Sequence, residues 1–221
     1  MLVPTELIPS SHLFYNAYSV DTKSNVFFTS DAHFNHDKDF IYAKRSYGDV
    51  NSMTNTQIKN WNSVISNDDT VFYLGDFKFG QNVSFVEILR RLNFKRIYLM
   101  SGNHYSGFQE LVITAGGASG LLLDGTKEIQ LIPNYFEIWY QKQFIVLCHY
   151  PIGRWNKIHR GAWNLFGHCH GTYKNAGGKQ LDVGFDNFPM PQSFGQIQRI
   201  LNKKETITSE IAQSSKFFEY S

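Results

Sequence analysis

The chain has 221 residues, a net charge of +2, 42% hydrophobic and 18% charged residues, which is the balance of one soluble globular domain with a sizeable core. That charge excludes a broad basic field for nucleic acid and an acidic tail. Two cysteines, Cys148 and Cys169, are too few for a disulfide framework, MLVPTELIPSSHLF lacks the features of a secretory signal, and no apolar run reaches membrane-span length, so the expected setting is a reducing, cytoplasmic one.

Residues 1–24 are mixed and broken by Ser and Pro, and read as an N-terminal extension that packs on the domain or frays. NVFFTSDAHF is a short apolar run ending in polar residues, the pattern of a buried strand and its loop. NSMTNTQIKNWNSVI carries Met53, Ile58, Trp61 and Ile65 at roughly helical spacing. DDTVFYLGDF is a second buried strand, NVSFVEILRRL a helix, and KRIYLMSGNH a third strand. This alternation predicts a layered α/β fold. Residues 108–133 mix a short helix with Gly-rich turns; YFEIWY and QFIVLCHY read as a hairpin; NLFGHCHG and KQLDVGFD are further strand-and-turn pieces. SFGQIQRIL is predicted as the last helix, with Ser193 as its N-cap. The domain is expected over 25–203, followed by a polar tail over 204–221.

Chemistry collects at the ends of the apolar runs. The first ends in Asp31 and His33, the second in Asp76, the third in Asn103 and His104; His149 follows the hairpin strand, and His168 and His170 occupy the FGHCHG turn. Taken singly, each is an ordinary turn or packing residue. Five strand ends sharing the habit are not explained that way, because ligands in α/β folds gather outside the carboxyl ends of strands. Carboxylate, imidazole and one amide oxygen without thiolate suit manganese, iron, zinc, cobalt or nickel. Eight such groups are too many for one ion. Two ions sharing a carboxylate would use them, and such a pair can hold a hydroxide nucleophile for in-line attack at phosphorus. If the Asn164–Gly171 stretch is extended, His168 and His170 face the site together and Cys169 points away.

In order, DAH, GDF, GNH, CHYP and GHCH resemble the signature blocks of the calcineurin-like metallophosphoesterases, across residues 31–171. TSDAHFNH, KNWNSVI, LGDFKFG and LFGHCHG are further similar to a small bacterial and phage branch of that superfamily. The resemblance implies a four-layer α/β/β/α sandwich of two mixed sheets with the site at one rim. It implies Asp31, His33 and His170 on one metal, Asn103, His149 and His168 on the other, and Asp76 between them. Manganese is the first choice, with iron, zinc, nickel or cobalt as substitutes. His104 would act on the substrate, binding a phosphoryl oxygen or protonating the leaving one.

The superfamily's protein phosphatases read G-D-x-x-D-R-G and G-N-H-E where this chain reads GDFKFG and GNHY. That argues against a protein phosphatase and leaves the group orienting His104 unnamed. His36, Arg45, Lys78 and Arg154 are candidate substrate contacts, Tyr105 and Trp155 candidate stacking rings, and Asp182 and Asp186 candidate outer or turn groups. Segments 34–50, 105–135 and 153–163 are expected to shape the pocket. The expected function is hydrolysis of a small phosphomonoester or phosphodiester, a short or cyclic nucleotide included. The alternatives are a nuclease with the same chemistry, which the near-neutral charge does not support, and a non-catalytic binding module, which the full ligand set disfavours.

Overall fold

A computed structural model describes residues 1–5, 17–21, 23–80, 83–104, 107–116, 120–173 and 177–208. At its centre, three apolar runs form parallel neighbours: β3 (Val26–Thr29), β4 (Thr70–Tyr73) and β5 (Arg96–Leu99). Burial on both faces explains why they read as continuous apolar runs and not as alternating ones. Alternate residues still divide by face. Phe27, Val71, Tyr73, Ile97 and Leu99 join one cluster with the helices. Val26, Phe28, Phe72, Leu74, Tyr98 and Met100 join another, against a second sheet.

The first sheet has seven strands. β7 (Lys127–Leu131) lies parallel to β5, and β6 (Gly120–Leu123) and β1 (Leu2–Thr5) extend that side antiparallel. β12 (Gln192–Ser193) closes the other edge against β3. The second sheet has five strands in the order β11 (Gln180–Asp182), β10 (Trp163–Phe166), β9 (Gln143–Cys148), β8 (Tyr135–Tyr140) and β2 (Tyr18–Ser19). β8 and β9 form the expected antiparallel hairpin, and β9, β10 and β11 run parallel.

The helices form where the sequence caps them. α1 (Asp39–Tyr42) is a single turn. α2 (Val50–Val64) begins at Asp49, whose carboxylate accepts from Ser52 N–H, and buries Met53, Ile58 and Trp61 on one face. α3 (Phe85–Arg91) starts at Ser84 and places Glu87 in its first turn and Arg90 and Arg91 in its last, matching the helix dipole. α4 (Phe108–Ala115) stops at Gly116 in the left-handed conformation. α5 (Phe194–Leu201) begins at Ser193 with a full capping box to Gln196, as predicted.

The fold is therefore α/β, with two mixed sheets facing one another across an apolar core, α2, α3 and α4 on the outer face of the larger sheet, and α5 against the core between the sheets. Among the described residues, the outer face of the smaller sheet is covered by Trp155, Ile158, Ala162 and Ile207 against Phe144 and Val146. Of the expected N-terminal extension, the described residues supply a strand to each sheet. Past residue 203, Ile207 is buried in this outer layer. No helix among the described residues is long and apolar enough to cross a membrane.

Candidate metal centre

Six strands end at one rim: β3, β4 and β5 from the large sheet, β9, β10 and β11 from the small one. Beyond them lie Asp31 and His33, Asp76, Asn103 and His104, His149, His168 and His170, and Asp186. The loops are tied to each other at the backbone. Asp31 N–H donates to the Gly75 carbonyl (3.0 Å), Asp76 N–H to Ser101 (3.3 Å), Gly167 N–H to His149 (3.0 Å) and Phe185 N–H to Ser30 (3.1 Å).

The turns are tight. Asp31, His33, Asp76, His168 and His170 all adopt positive φ, between 48° and 69°, a conformation that costs a residue other than glycine roughly 1–2 kcal/mol. Such strain clusters at functional sites. It also corrects the expected extended stretch at Asn164–Gly171: the chain turns left-handed at both histidines, and Cys169 borders the same cleft as they do. The glycines make room. A Cβ on Gly102 would overlap Asp76 Oδ1, and one on Gly167 would overlap Asp31 Oδ2.

Asp76 stands between two groups of donors. Its Oδ2 faces His33 Nε2 at 3.7 Å and His104 Nε2 at 3.9 Å, and its Oδ1 faces His149 Nε2 at 3.6 Å. Backbone N–H groups of Asn103 (3.0 Å) and His104 (2.9 Å) fix the Oδ1 side. Ligand atoms of Asp31, His33 and His170 converge within 4.8 Å of one another; so do those of Asp76, His149 and His168, and those of His33, Asp76 and His104. Asn103 Oδ1 lies 2.8 Å from His149 Nε2 and 2.9 Å from His168 Nδ1.

The donor set fits cations. Among the described residues, Asp31 Oδ1 and His33 Nε2 are buried without a hydrogen-bond partner, which a folded protein tolerates only where something else satisfies them. His149 Nδ1 donates to the Leu74 carbonyl at 2.7 Å, so the neutral ring meets the Asn103 oxygen lone pair to lone pair. Burial pushes Asp31 up to about 7 and holds His33 well below its ordinary value. Burial also lowers His149, against the pull of Asp76. A positive ion removes the cost of the buried carboxylate and takes the neutral imidazoles as ligands.

Around these groups sits a second layer. His170 Nδ1 is 2.7 Å from Asp186 Oδ2, and that bond raises the imidazole. Burial would raise Asp186, but hydrogen bonds from His170 and Arg45 outweigh it and hold the carboxyl well below its ordinary range. Arg45, a candidate phosphate contact by its sequence, has its donors committed inside the protein. Nε and Nη2 hold Asp186 (3.2 and 2.6 Å), Nη2 also reaches the Asp31 carbonyl (2.7 Å), and Nη1 reaches the Ala32 carbonyl (2.7 Å) and Met53 Sδ (3.9 Å). Lys78, another candidate contact, is buried and donates to the Gly80 carbonyl. Trp155 is buried, with its indole N–H on Ala162, so it is a packing residue. Arg154 is exposed beside it, and Tyr105 lies outside the described residues. His36 is buried, with Nδ1 3.1 Å from His33 Nδ1. Burial holds it down to about 4. Asp182 accepts from Gly184 N–H (2.9 Å) and Gly171 N–H (3.2 Å), which places it with the turns.

Some supports gave no signal in the sequence. Tyr73 accepts from Ala32 N–H at 2.8 Å, Gln57 donates to the Ala32 carbonyl at 2.8 Å, and Asn134 accepts from Gly102 N–H at 3.1 Å. Tyr73 and Gln57 sit inside a strand and a helix, where a tyrosine and a glutamine read as packing. A cleft of about 470 Å³ opens beside His168 and His170, walled by Phe40, Ile41, Lys44 and Thr172. Of the segments expected to shape a pocket, 34–50 does so.

No family model matches the chain. It is 32% identical over 100 residues to an uncharacterised protein of Methanocaldococcus jannaschii, a match covering 44% of this chain and 57% of that protein. It is 36% identical over 83 residues to the gene 66 protein of Mycobacterium phage L5, covering 37% of this chain and 40% of that one. The chain thus spans less than two thirds of either relative. Among solved structures, a protein of unknown function from Aquifex aeolicus has the same fold, with a TM-score of 0.54 at 20% identity over 80% of this chain and 99% of that one. An archaeal phosphodiesterase gives a TM-score of 0.39 at 17% identity over 72% of this chain and 82% of that one, too low to establish a common fold.

Proposed function

We propose that the chain is a two-metal phosphoesterase, hydrolysing a small phosphomonoester or phosphodiester. The observation that carries the reading is the meeting of two donor groups at one carboxylate, with Asp76 Oδ2 turned to His33 and Oδ1 to His149. Asp31, His33 and His170 would hold one ion, Asn103, His149 and His168 the other, and Asp76 both. When bound, two divalent ions, manganese first among them, supply a nucleophile from water at neutral pH and neutralise charge at phosphorus. The ordered signature blocks support the same chemistry.

The protein's own groups divide the remaining tasks. Backbone N–H bonds fix Asp76 so that neither oxygen can swing away. His104 is partly exposed beside Asp76, with Nε2 toward the cluster, and in this reading it would protonate the leaving oxygen. The cleft along Phe40 and Lys44 receives the organic part of the ester: an apolar ring for a flat or hydrocarbon group, an ammonium for its charge.

Elemental analysis of the purified protein, paired with hydrolysis of p-nitrophenyl phosphate and bis-p-nitrophenyl phosphate with added manganese, tests this. About two transition-metal ions per chain and metal-dependent release are expected. Little bound metal and no turnover with any divalent ion would leave a binding module in its place.

A further inference from the structure

Each buried ligand histidine needs a partner for its other ring nitrogen, because that partner sets the tautomer and therefore which nitrogen offers a lone pair. His170 has the Asp186 carboxylate and His149 the Leu74 carbonyl. For His33 the partner is neither. Its Nδ1 meets Nδ1 of His36 at 3.1 Å, and its Nε2 points toward Asp76. Two imidazole nitrogens at that distance share one proton. If His36 supplied it, a neutral His33 would carry its own hydrogen on Nε2, where the lone pair is needed.

The His36 ring is not free to turn. One face stacks on Phe79 (centroids 4.2 Å apart, 26° between planes), and Phe40 meets it nearly edge-on at 5.9 Å. The loop below is closed by His36 N–H to the His33 carbonyl (3.1 Å) and Phe79 N–H to the Phe34 carbonyl (3.1 Å). The same Phe79 ring packs edge-on against His104 at 5.2 Å, 86° between planes.

We propose that His36 is a positioning residue, accepting the Nδ1 proton of His33 so that Nε2 of His33 faces the metal, and that Phe79 clamps His36 and His104 together. The assignment rests on His33 being a ligand, as in the function proposed above. An imidazole acceptor behind a ligand histidine is neutral, so this side of the centre gains orientation without a further negative charge. In this proposal the group that orients His104 is the aromatic ring of Phe79, in a chain whose block reads GDFKFG.

Ring ¹⁵N NMR of the wild-type protein, metal-free and loaded with zinc, reads the tautomers directly. Expected are Nδ1–H on His33 and Nε2–H on His36; the reverse pair in the loaded protein overturns the proposal. Manganese titration by calorimetry supplies a second arm. His36→Phe keeps a ring for Phe79 and removes the acceptor, and should weaken one manganese site about 10- to 100-fold, with His36→Gln recovering part of the loss through its carbonyl. If His36→Phe binds manganese as the wild type does and only KM for p-nitrophenyl phosphate rises, His36 is a substrate contact and the proposal fails. If the wild type takes up no manganese, the proposed function fails first, and the two failures are distinct.

Discussion

The two halves of the candidate centre are built differently. The half made of Asp31, His33 and His170 is backed by side chains: Asp186 and Arg45 behind His170, and His36 on the Nδ1 side of His33. The half made of Asn103, His149 and His168 is backed by main chain, with the Leu74 carbonyl behind His149. In the second half Asn103 is exposed, His168 partly so and His149 buried; in the first Asp31 and His33 are buried and His170 is partly exposed. A ligand set that is buried and over-braced is preorganised, and one at the rim keeps more freedom. The first half is therefore expected to bind its ion more tightly, and the second to exchange more readily.

Asp76 belongs to both halves, so Asp76→Asn should give the largest effect. Turnover should be abolished and metal content should fall from about two ions to one or fewer, measured by elemental analysis beside ester hydrolysis. An Asp76→Asn protein with full metal and full rate would end the two-metal reading. His104 lies at the seam and binds neither ion in this reading. His104→Ala should keep the metal and lose about 10²- to 10⁴-fold in rate, more for an alkyl ester than for a nitrophenyl one. Parallel loss of metal would move His104 into the ligand set.

Asp186→Asn separates the halves. It should weaken the first site about 10- to 100-fold and leave the second unchanged, by manganese titration. It also leaves the buried Arg45 guanidinium without its countercharge, held only by neutral acceptors such as the Asp31 and Ala32 carbonyls, at a cost on the order of 3 kcal/mol in unfolding free energy. The pH sign follows from the carboxyl being held low in the fold. Its stabilisation is present above the unfolded value, about 4, and is lost as pH falls through the folded one. Denaturation of Asp186→Asn should lack that acid-side loss. Equal weakening of both sites would show that the two halves are one unit.

Much of this site was legible because ligand chemistry follows strand ends. The runs VFFT, TVFY and RIYL name three central strands, and the polar residues after them name the rim. What was not legible depended on where side chains end. Arg45 follows α1 by only three residues and reads as a surface cation; its role appears only when the fold brings Asp186, 141 residues on, against it. The turn at His168 and His170 is not legible in the sequence because a Gly-flanked His-x-His fits either backbone, and the bond from His168 N–H to Asp31 (2.9 Å) that accompanies the turn reaches a different sheet. β1 and β2 are short strands whose partners, β6 and β8, lie more than a hundred residues away.

The halves should also differ in pH response. In the metal-free protein Asp31 is raised to about 7 by burial. A raised carboxyl stabilises the fold below its unfolded value, about 4, and that contribution is lost as pH rises through about 7. Metal needs the ionised form, so manganese affinity of the first half should climb with pH by up to about tenfold per unit below 7 and then level off. Burial lowers His149, against the pull of Asp76, so protons compete less for that ligand and the second site should respond less. Two parallel profiles in calorimetry at pH 5.5, 6.5 and 7.5 would erase the distinction.

The smallest effect is expected from Ser193→Ala, which breaks the capping box at the head of α5. Loss of such a cap costs about 1 kcal/mol, or about 2–4 °C in Tm for a chain of this size. The residue is remote from the ligands, but its neighbours are not neutral between the halves. Ser193 pairs with β3, whose end carries Asp31 and His33, and α5 packs between the sheets through Phe194, Ile197 and Leu201. Loosening it can reach the first half through β3, whereas the strands before Asn103 and His149 pair elsewhere. If the bracing by Arg45, Asp186 and His36 is sufficient, Ser193→Ala lowers Tm and moves neither manganese affinity. A fall at the tighter site alone would show that its preorganisation draws on the sheet as well as on its own outer layer.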